Sequence, residues 1–339
     1  MRIIFLSLAL AVAMPGCNKS EKNKNTSEEK ISGNIKMDGS STVYPIFEAV
    51  AEEFTIKYGR DVRLTGGESG TGGGFKKFAR KEIDIANASR PIKKSEDEDI
   101  KAAGFNYIEL PVAYDGLAIV VNPENTWVDK LTVAELKKIW EPAAQGKIVK
   151  WSQIRKGWPD EKINLYGAGT ASGTFDYFTE VIVGKSKSSR GDYTASENDN
   201  VLVQGVSSDK GALGYFGLYY YEVNKDKLKI VPIDDENDAN GQGGIIPTPE
   251  TVKNGSYQPL SRPLFIYVST ESAQRPEVSK FIEFYLDNAE ALVKDAKYIP
   301  LSHSEYALVR ERFAKRVPGS MFINLESTVG VKLEELLKK

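Results

Sequence analysis

The sequence predicts an α/β fold around a mostly parallel sheet. Short β-like apolar runs alternate with amphipathic helical stretches over most of the chain, with no fixed-period repeat among them. Strand followed by helix, repeated, is the trace that parallel βαβ units leave in a sequence. The length agrees, since 339 residues allow two full cores at about 150 residues each.

The N-terminal stretch MRIIFLSLALAVAMPGCNKS joins Arg2 to an apolar run from Ile3 to Met14. Residues 1–16 read as a secretory signal, too short to span a membrane as a helix. Cys17 is the single cysteine, preceded by Gly16. It resembles the lipidated cysteine of bacterial lipoproteins, although Met14 and Pro15 fit that pattern poorly, and a secreted chain with an incidental cysteine is the alternative. One lipidated cysteine would anchor the chain without spanning the bilayer. NKSEKNKNTSEEKISGN follows, polar and charged, so 17–34 reads as an anchor residue and flexible tether.

The elements then come in order. IKMDG (35–39) reads as a strand, and Ile46, Phe47, Val50 and Phe54 mark one face of the next helix. DVRLTG (61–66) leads into GGESGTGGGFKKF, and IDIANAS (83–89) and LAIVVN (117–122) read as further strands. TVAELKKIW (132–140) and FDYFTEVI (175–182) have helical spacing. INLYGAG (163–169), GALGYF (211–216), LKIVPI (228–233) and PLFIYVS (263–269) read as strands, and the chain after Pro276 as mainly helical. After the tether the best candidate for a membrane helix, LPVAYDGLAIVV, is short and carries Asp115.

Three strand-to-helix loops combine glycine with hydroxyls: GSSTVYP (39–45), GGESGTGGG (66–74) and GTASGTF (169–175). In open α/β sheets ligands sit beyond strand carboxyl ends, where helix N-termini present unpaired N–H groups and a positive dipole end. Glycine lets those N–H groups come close to a ligand. The chemistry indicates an anion. Helix capping alone would also favour Ser, Thr and Gly at such places. Nucleotide loops fail on spacing, because a P-loop starting at Gly67 needs Lys then Ser or Thr where Gly73-Gly74 stand, and no GxGxxG register fits.

Two charges stand beside these loops. Arg90, in NASRP, leaves a strand end, and Asp115 interrupts an apolar run where a charge needs a partner. A structural ion pair, even with each other, is the alternative use of both. Lys plus Arg total 45 against 47 Asp plus Glu, which lacks the basic footprint of a nucleic-acid binder.

Taken together, GSSTVYP, SGTGGGFKKF, DIANASRPI, LPVAYDGLAIVVNP, ASGTFDYF and GALGYFG resemble the phosphate-binding lipoproteins and periplasmic proteins of bacterial phosphate ABC transporters. The likeness runs from Ile35 to about Arg316. It implies a type II periplasmic-binding-protein-like fold with two lobes and two crossing hinge segments. Lobe 1 is then 35–113 plus 265–339, and lobe 2 is 114–264. It also implies one inorganic phosphate in the interlobe cleft, delivery to an ABC permease, an extracytoplasmic location with a lipid anchor, a monomer, and no cofactor, metal or catalysis. The implied phosphate contacts are Ser41, Thr42 and Val43, then Ser69, Thr71 and Gly72, then Ser172, Gly173 and Thr174. The best-known branch has an arginine where this chain has Ala168 and an aspartate where it has Arg90. Arg90 is therefore expected to supply the charge and Asp115 to accept the phosphate proton, with Glu68 as second choice. Such a carboxylate would repel sulfate, which has no proton to offer near neutral pH.

Two other functions compete. The same fold could hold sulfate, molybdate or tungstate. A phosphate-ester hydrolase would need a base, and the one histidine, His303, lies in PLSHSEY with no motif around it; Ser69 in GESGT misses GxSxG.

Overall fold

The strands β1 (Gly33–Gly39), β2 (Val62–Gly67) and β3 (Ile85–Ala88) run parallel, with β1 in the middle. They open the computed structural model, which describes residues 31–170, 172–196, 198–325 and 332–338. The signal, Cys17 and most of the tether lie outside the described residues. Further along come β4 (Tyr107–Val121), β5 (Leu131–Thr132), β6 (Asn164–Ala168), β7 (Thr194–Ser196) and β8 (Ala212–Gly217). Then follow β9 (Lys229–Ile230), β10 (Ile233–Asp234), β11 (Ser261–Ser269) and β12 (Ile299–Pro300). The main sheet is ordered β2-β1-β3-β11-β4-β8-β6-β7, with β9 and β12 each pairing with β4.

The two lobes meet along β4 and β11. β4 has 15 residues, all buried, and changes partner along its length. Tyr107 to Gly116 pair antiparallel with β11, whereas Leu117 to Val121 pair with β8. Beyond β8 the sheet is parallel again, through β6 and β7. The parallel sheet expected from sequence thus holds on each side, and the two crossing strands are antiparallel to each other.

Three elements differ from the sequence reading. β4 starts ten residues before the expected LAIVVN strand, because Glu109 and Asp115 break the apolar pattern while both are buried and partnered. LKIVPI forms two short strands, β9 and β10, with Pro232 between them, a residue that has no N–H for a ladder. FDYFTEVI is α-helical only to Phe178, and Thr179–Val183 widens into a π-helical turn. The Thr179 hydroxyl donates to the carbonyls of Phe175 and Asp176 at 2.8 and 3.1 Å, a back-bond that disturbs regular helix.

The helices that set the site are α1 (Tyr44–Tyr58), α2 (Thr71–Ala79), α3 (Lys94–Ala102), α4 (Val133–Trp140) and α5 (Gly173–Phe178). α1 buries Ile46, Phe47, Val50 and Phe54 as expected, packing edge-on to Phe281 and Phe284 of the helix Pro276–Asp295 at 5.3 to 6.3 Å. In the other lobe Trp140 at the end of α4 meets Phe178 at 5.4 Å and Tyr215 at 4.9 Å. Aromatic packing thus occurs on both sides of the β4 and β11 crossing, within one continuous buried core. Among the described residues, no helix is long and apolar enough to cross a membrane.

Candidate functional site

A cavity of about 440 Å³ lies where the three glycine and hydroxyl loops converge. Each loop follows the carboxyl end of a strand, β1, β2 or β6, and opens a helix.

The first loop turns tightly. Ser40 N donates to the Asn87 carbonyl at 3.0 Å, and the N–H groups of Val43 and Tyr44 both return to the Ser40 carbonyl at 3.2 and 3.1 Å. The Val43 N–H therefore closes a turn, and Val43 itself lies in the core. Ser41 and Thr42 face the cavity, and neither has its backbone N–H bonded among the described residues.

The second loop is held from behind by Asp38, the penultimate residue of β1. Asp38 Oδ1 accepts from Ser69 N at 2.9 Å and from Ser69 Oγ at 2.6 Å, and Oδ2 accepts from Lys77. Burial opposes ionisation of Asp38, yet the Lys77 and Ser69 bonds outweigh it and hold its carboxyl below the ordinary value. The Ser69 hydroxyl proton is directed at Asp38, away from any ligand. What the loop offers instead is the start of α2, where the first intrahelical bond is Gly74 N to the Gly70 carbonyl, leaving Thr71, Gly72 and Gly73 N–H open. Gly74 has to be glycine: a Cβ there would sit 2.6 Å from Gly39 Cα.

Ser89 follows β3 and belongs to the same wall. Its N–H donates to Thr71 Oγ1 at 3.2 Å, and the two hydroxyls are 3.1 Å apart. Since Thr71 Oγ1 accepts from that amide, its own proton is available to Ser89 or to a ligand.

The third loop caps α5. Ser172 Oγ accepts from Thr174 N at 3.1 Å, and among the described residues the Gly173 N–H has no partner. Gly173 lines the main cavity, whereas Ser172 and Thr174 line a neighbouring one of about 380 Å³ that shares Ser41, Thr42, Glu68 and Gly173 with it. The two spaces are divided where Gly173 meets Thr42.

The charged groups sort differently from the sequence expectation. Arg90 lines the main cavity, but its guanidinium is bound to both oxygens of Glu96 at 2.8 Å each and to the Pro91 carbonyl at 3.1 Å. Asp115 lines the smaller cavity and pairs with Arg262, its cross-strand neighbour on β11, at 3.5 Å between Oδ2 and Nε. Burial pushes the Asp115 carboxyl up, with Arg262 working against it. Glu68, Asp176 and Glu180 are the carboxylates on the main cavity. Burial raises Asp176 as well, opposed by Lys187 at 3.7 Å and by Arg262.

Sequence reading did not single out Ser40, Ser89 or Arg262 as site residues. Arg262 had a usable signal, because Arg262-Pro263 at the start of a strand repeats the Arg90-Pro91 pair at the end of one. His303 opens the helix His303–Ala314 and lines neither cavity. Among the described residues no group of three His, Cys, Asp or Glu side chains could hold a metal ion.

Loops from both lobes, rich in neutral donors and converging on one polar cavity, describe an oxyanion receptor. A sequence profile described as a PBP superfamily domain matches residues 24–289. The chain belongs to the PBP superfamily. It is 49% identical to protein SphX of Synechococcus elongatus over 304 residues, covering 90% of this chain and 88% of that one. It is 39% identical to the phosphate-binding protein PstS of Staphylococcus saprophyticus over 285 residues, covering 83% of this chain and 85% of the relative. A crystal structure described as a possible phosphate binding protein from Planctomyces limnophilus superposes with a TM-score of 0.80 at 54% identity, covering 85% of this chain and 99% of that one. This PBP-superfamily chain therefore shares its fold with proteins named for binding phosphate.

Proposed function

We propose that this protein binds inorganic phosphate between its lobes, outside the cytoplasm, and delivers it to an ABC permease. The observation that carries the reading is the set of open donors on one cavity: Ser41, Thr42, Thr71, Gly72 and Gly173 N–H, with the Thr42, Thr71 and Ser89 hydroxyls beside them. Neutral dipoles can hold a divalent oxyanion and still let it go. The kinship with PstS of Staphylococcus saprophyticus supports phosphate as the ion. The division into lobes 35–113 plus 265–339 and 114–264 belongs to this proposal, and it is supported by the partner change of β4 between Gly116 and Leu117. So do a monomeric state and the absence of catalysis.

Calorimetric titration of the ligand-stripped protein tests it. Phosphate should bind one to one with a dissociation constant at or below about micromolar, near −8 kcal/mol. Sulfate in excess should not compete, because Glu68, Asp176 and Glu180 face the cavity and a carboxylate there needs a proton from the ligand. No heat and no thermal upshift at millimolar phosphate would refute the reading; competition by sulfate would favour the broader oxyanion alternative.

Anchoring through a lipidated Cys17 is the remaining part of the proposal. Cys17→Ala should move the protein out of the membrane fraction or leave the precursor uncleaved. Unchanged membrane association would remove the anchor.

A further inference from the structure

We infer that Arg262, standing at the joint between the lobes, is the cation that grips the bound anion, and that Asp115 holds this arginine in place without serving as a ligand. The inference rests on the phosphate reading above and names the residue that supplies its charge.

Counting donors separates the two arginines on the cavity. A guanidinium has five N–H groups. Arg90 directs three of them at Glu96 and the Pro91 carbonyl, and its charge is matched by a carboxylate in bidentate contact. Among the described residues Arg262 makes one hydrogen bond, from NH2 to Thr42 Oγ1 at 3.1 Å. Its Nε is buried with no hydrogen-bond partner, and the nearest Asp115 oxygen, 3.5 Å away, lacks one as well. The Arg262 side chain is 11% exposed against 25% for Arg90. A largely buried guanidinium with its Nε unpartnered, on the wall of a cavity, is placed to take its further acceptors from a ligand.

The setting of Arg262 fixes its plane. The guanidinium carbon lies 3.4 Å from the centroid of the Tyr177 ring, and the Tyr177 hydroxyl is itself tied to the Pro259 carbonyl. Stacking leaves the edge of the fork to face an oxyanion, the geometry that suits two parallel N–H···O bonds. Thr42 gains from the same contact. Having accepted from Arg262, its hydroxyl keeps its proton for the anion.

Position adds a second role. Arg262 lies on crossing strand β11 opposite Asp115 on β4, touches Thr42 from the β1 side of the fold, and stacks on Tyr177 of α5 from the β6 side. An anion held by this arginine is thereby held against both lobes.

The test is calorimetry on the full chain with phosphate, arsenate and sulfate, comparing the parent with Arg262→Gln, Asp115→Asn, the Arg262→Gln/Asp115→Asn double variant, and Arg90→Gln. The double variant leaves no unpaired buried charge, so its thermal unfolding should stay near the parent's even where Arg262→Gln alone folds poorly. Removing a buried charge partner should weaken binding by about a hundredfold or more in the double variant, and Arg90→Gln should lose less than about tenfold. Affinity restored to the parent's in the double variant would mean that Arg262 only neutralises Asp115, which overturns the inference. A larger loss in Arg90→Gln than in the double variant overturns it too. A parent that binds none of the three ions overturns the phosphate reading together with this one, whereas a parent that binds with an indifferent double variant overturns this one alone.

Discussion

Gly173→Val is expected to abolish high-affinity phosphate binding while leaving the fold intact. A Cβ added at Gly173 would lie 2.6 Å from Thr42 Oγ1, 2.9 Å from Thr42 N and 3.0 Å from Thr42 Cα. Two of these are backbone atoms that cannot swing aside, and valine adds two methyl groups beyond that Cβ. The backbone at Gly173 has no left-handed φ, so the residue itself tolerates a side chain. The collision therefore falls on the approach of α5 to the Ser40–Val43 turn across the cavity. Holding those loops apart lengthens the bonds from Gly173 and Thr42 to a shared anion, and hydrogen bonds weaken steeply outside normal geometry. Two bonds to a charged group at about 1.5–3 kcal/mol each amount to roughly two to four orders of magnitude in affinity. Calorimetry measures the loss, and a thermal midpoint close to the parent's shows that the lobes still fold. Binding within tenfold of the parent would mean that the Thr42 to Gly173 contact plays no part in holding the ion.

The same contact shows what the sequence could and could not disclose. Open N–H groups at the starts of α2 and α5 follow from local backbone rules, so glycine and hydroxyl loops after strands were legible as an anion site. Which donors remain open was not legible. Ser69 turns its hydroxyl to Asp38, 31 residues earlier in the chain, and Arg262 reaches Thr42 across 220 residues. Such pairings are decided by the sheet order, where β11 inserts between β3 and β4, and no periodicity carries that information. Arg90 is the intermediate case. Glu96 stands six residues beyond it, at the third position of α3, and a charge so near in sequence was a readable sign that the arginine had a partner. For the fold, alternation of strands and helices gave the class, but buried charges on β4 hid the true length of its crossing strand.

Glu109 is the extreme of that hidden chemistry, and Glu109→Ala should be among the most destabilising single changes in the chain. The side chain is fully buried on β4. Its Oε2 accepts from Tyr267 OH at 2.7 Å and Ser320 Oγ at 2.6 Å, and its Oε1 accepts from Met321 N at 2.7 Å. Arg312 bonds the Glu109 carbonyl at 3.0 Å and the Gly319 carbonyl at 2.6 Å, so this carboxyl pins the segment after helix His303–Ala314 to the sheet. Alanine leaves an amide and two hydroxyls without their acceptor in a dry site, a loss of about 3–5 kcal/mol. For a chain of this size that lowers the midpoint by roughly 5–8 °C. Glu109→Gln should keep most of the stability, because its carbonyl can serve Met321 N–H while the two hydroxyls rotate to accept from its amide. Burial raises the Glu109 carboxyl above the ordinary 4.5. Between that value and its folded one the native state holds a proton that the unfolded chain releases, so the stability it contributes is lost as pH rises through the folded value. The glutamine variant has no such proton, and its stability relative to the parent should improve with rising pH across that window. Denaturant unfolding of the parent and both variants at several pH values measures all three effects. An alanine variant within about 1 kcal/mol of the parent, well short of the expected loss, or a glutamine variant as unstable as alanine, would show that this network does not hold the C-terminal segment in place.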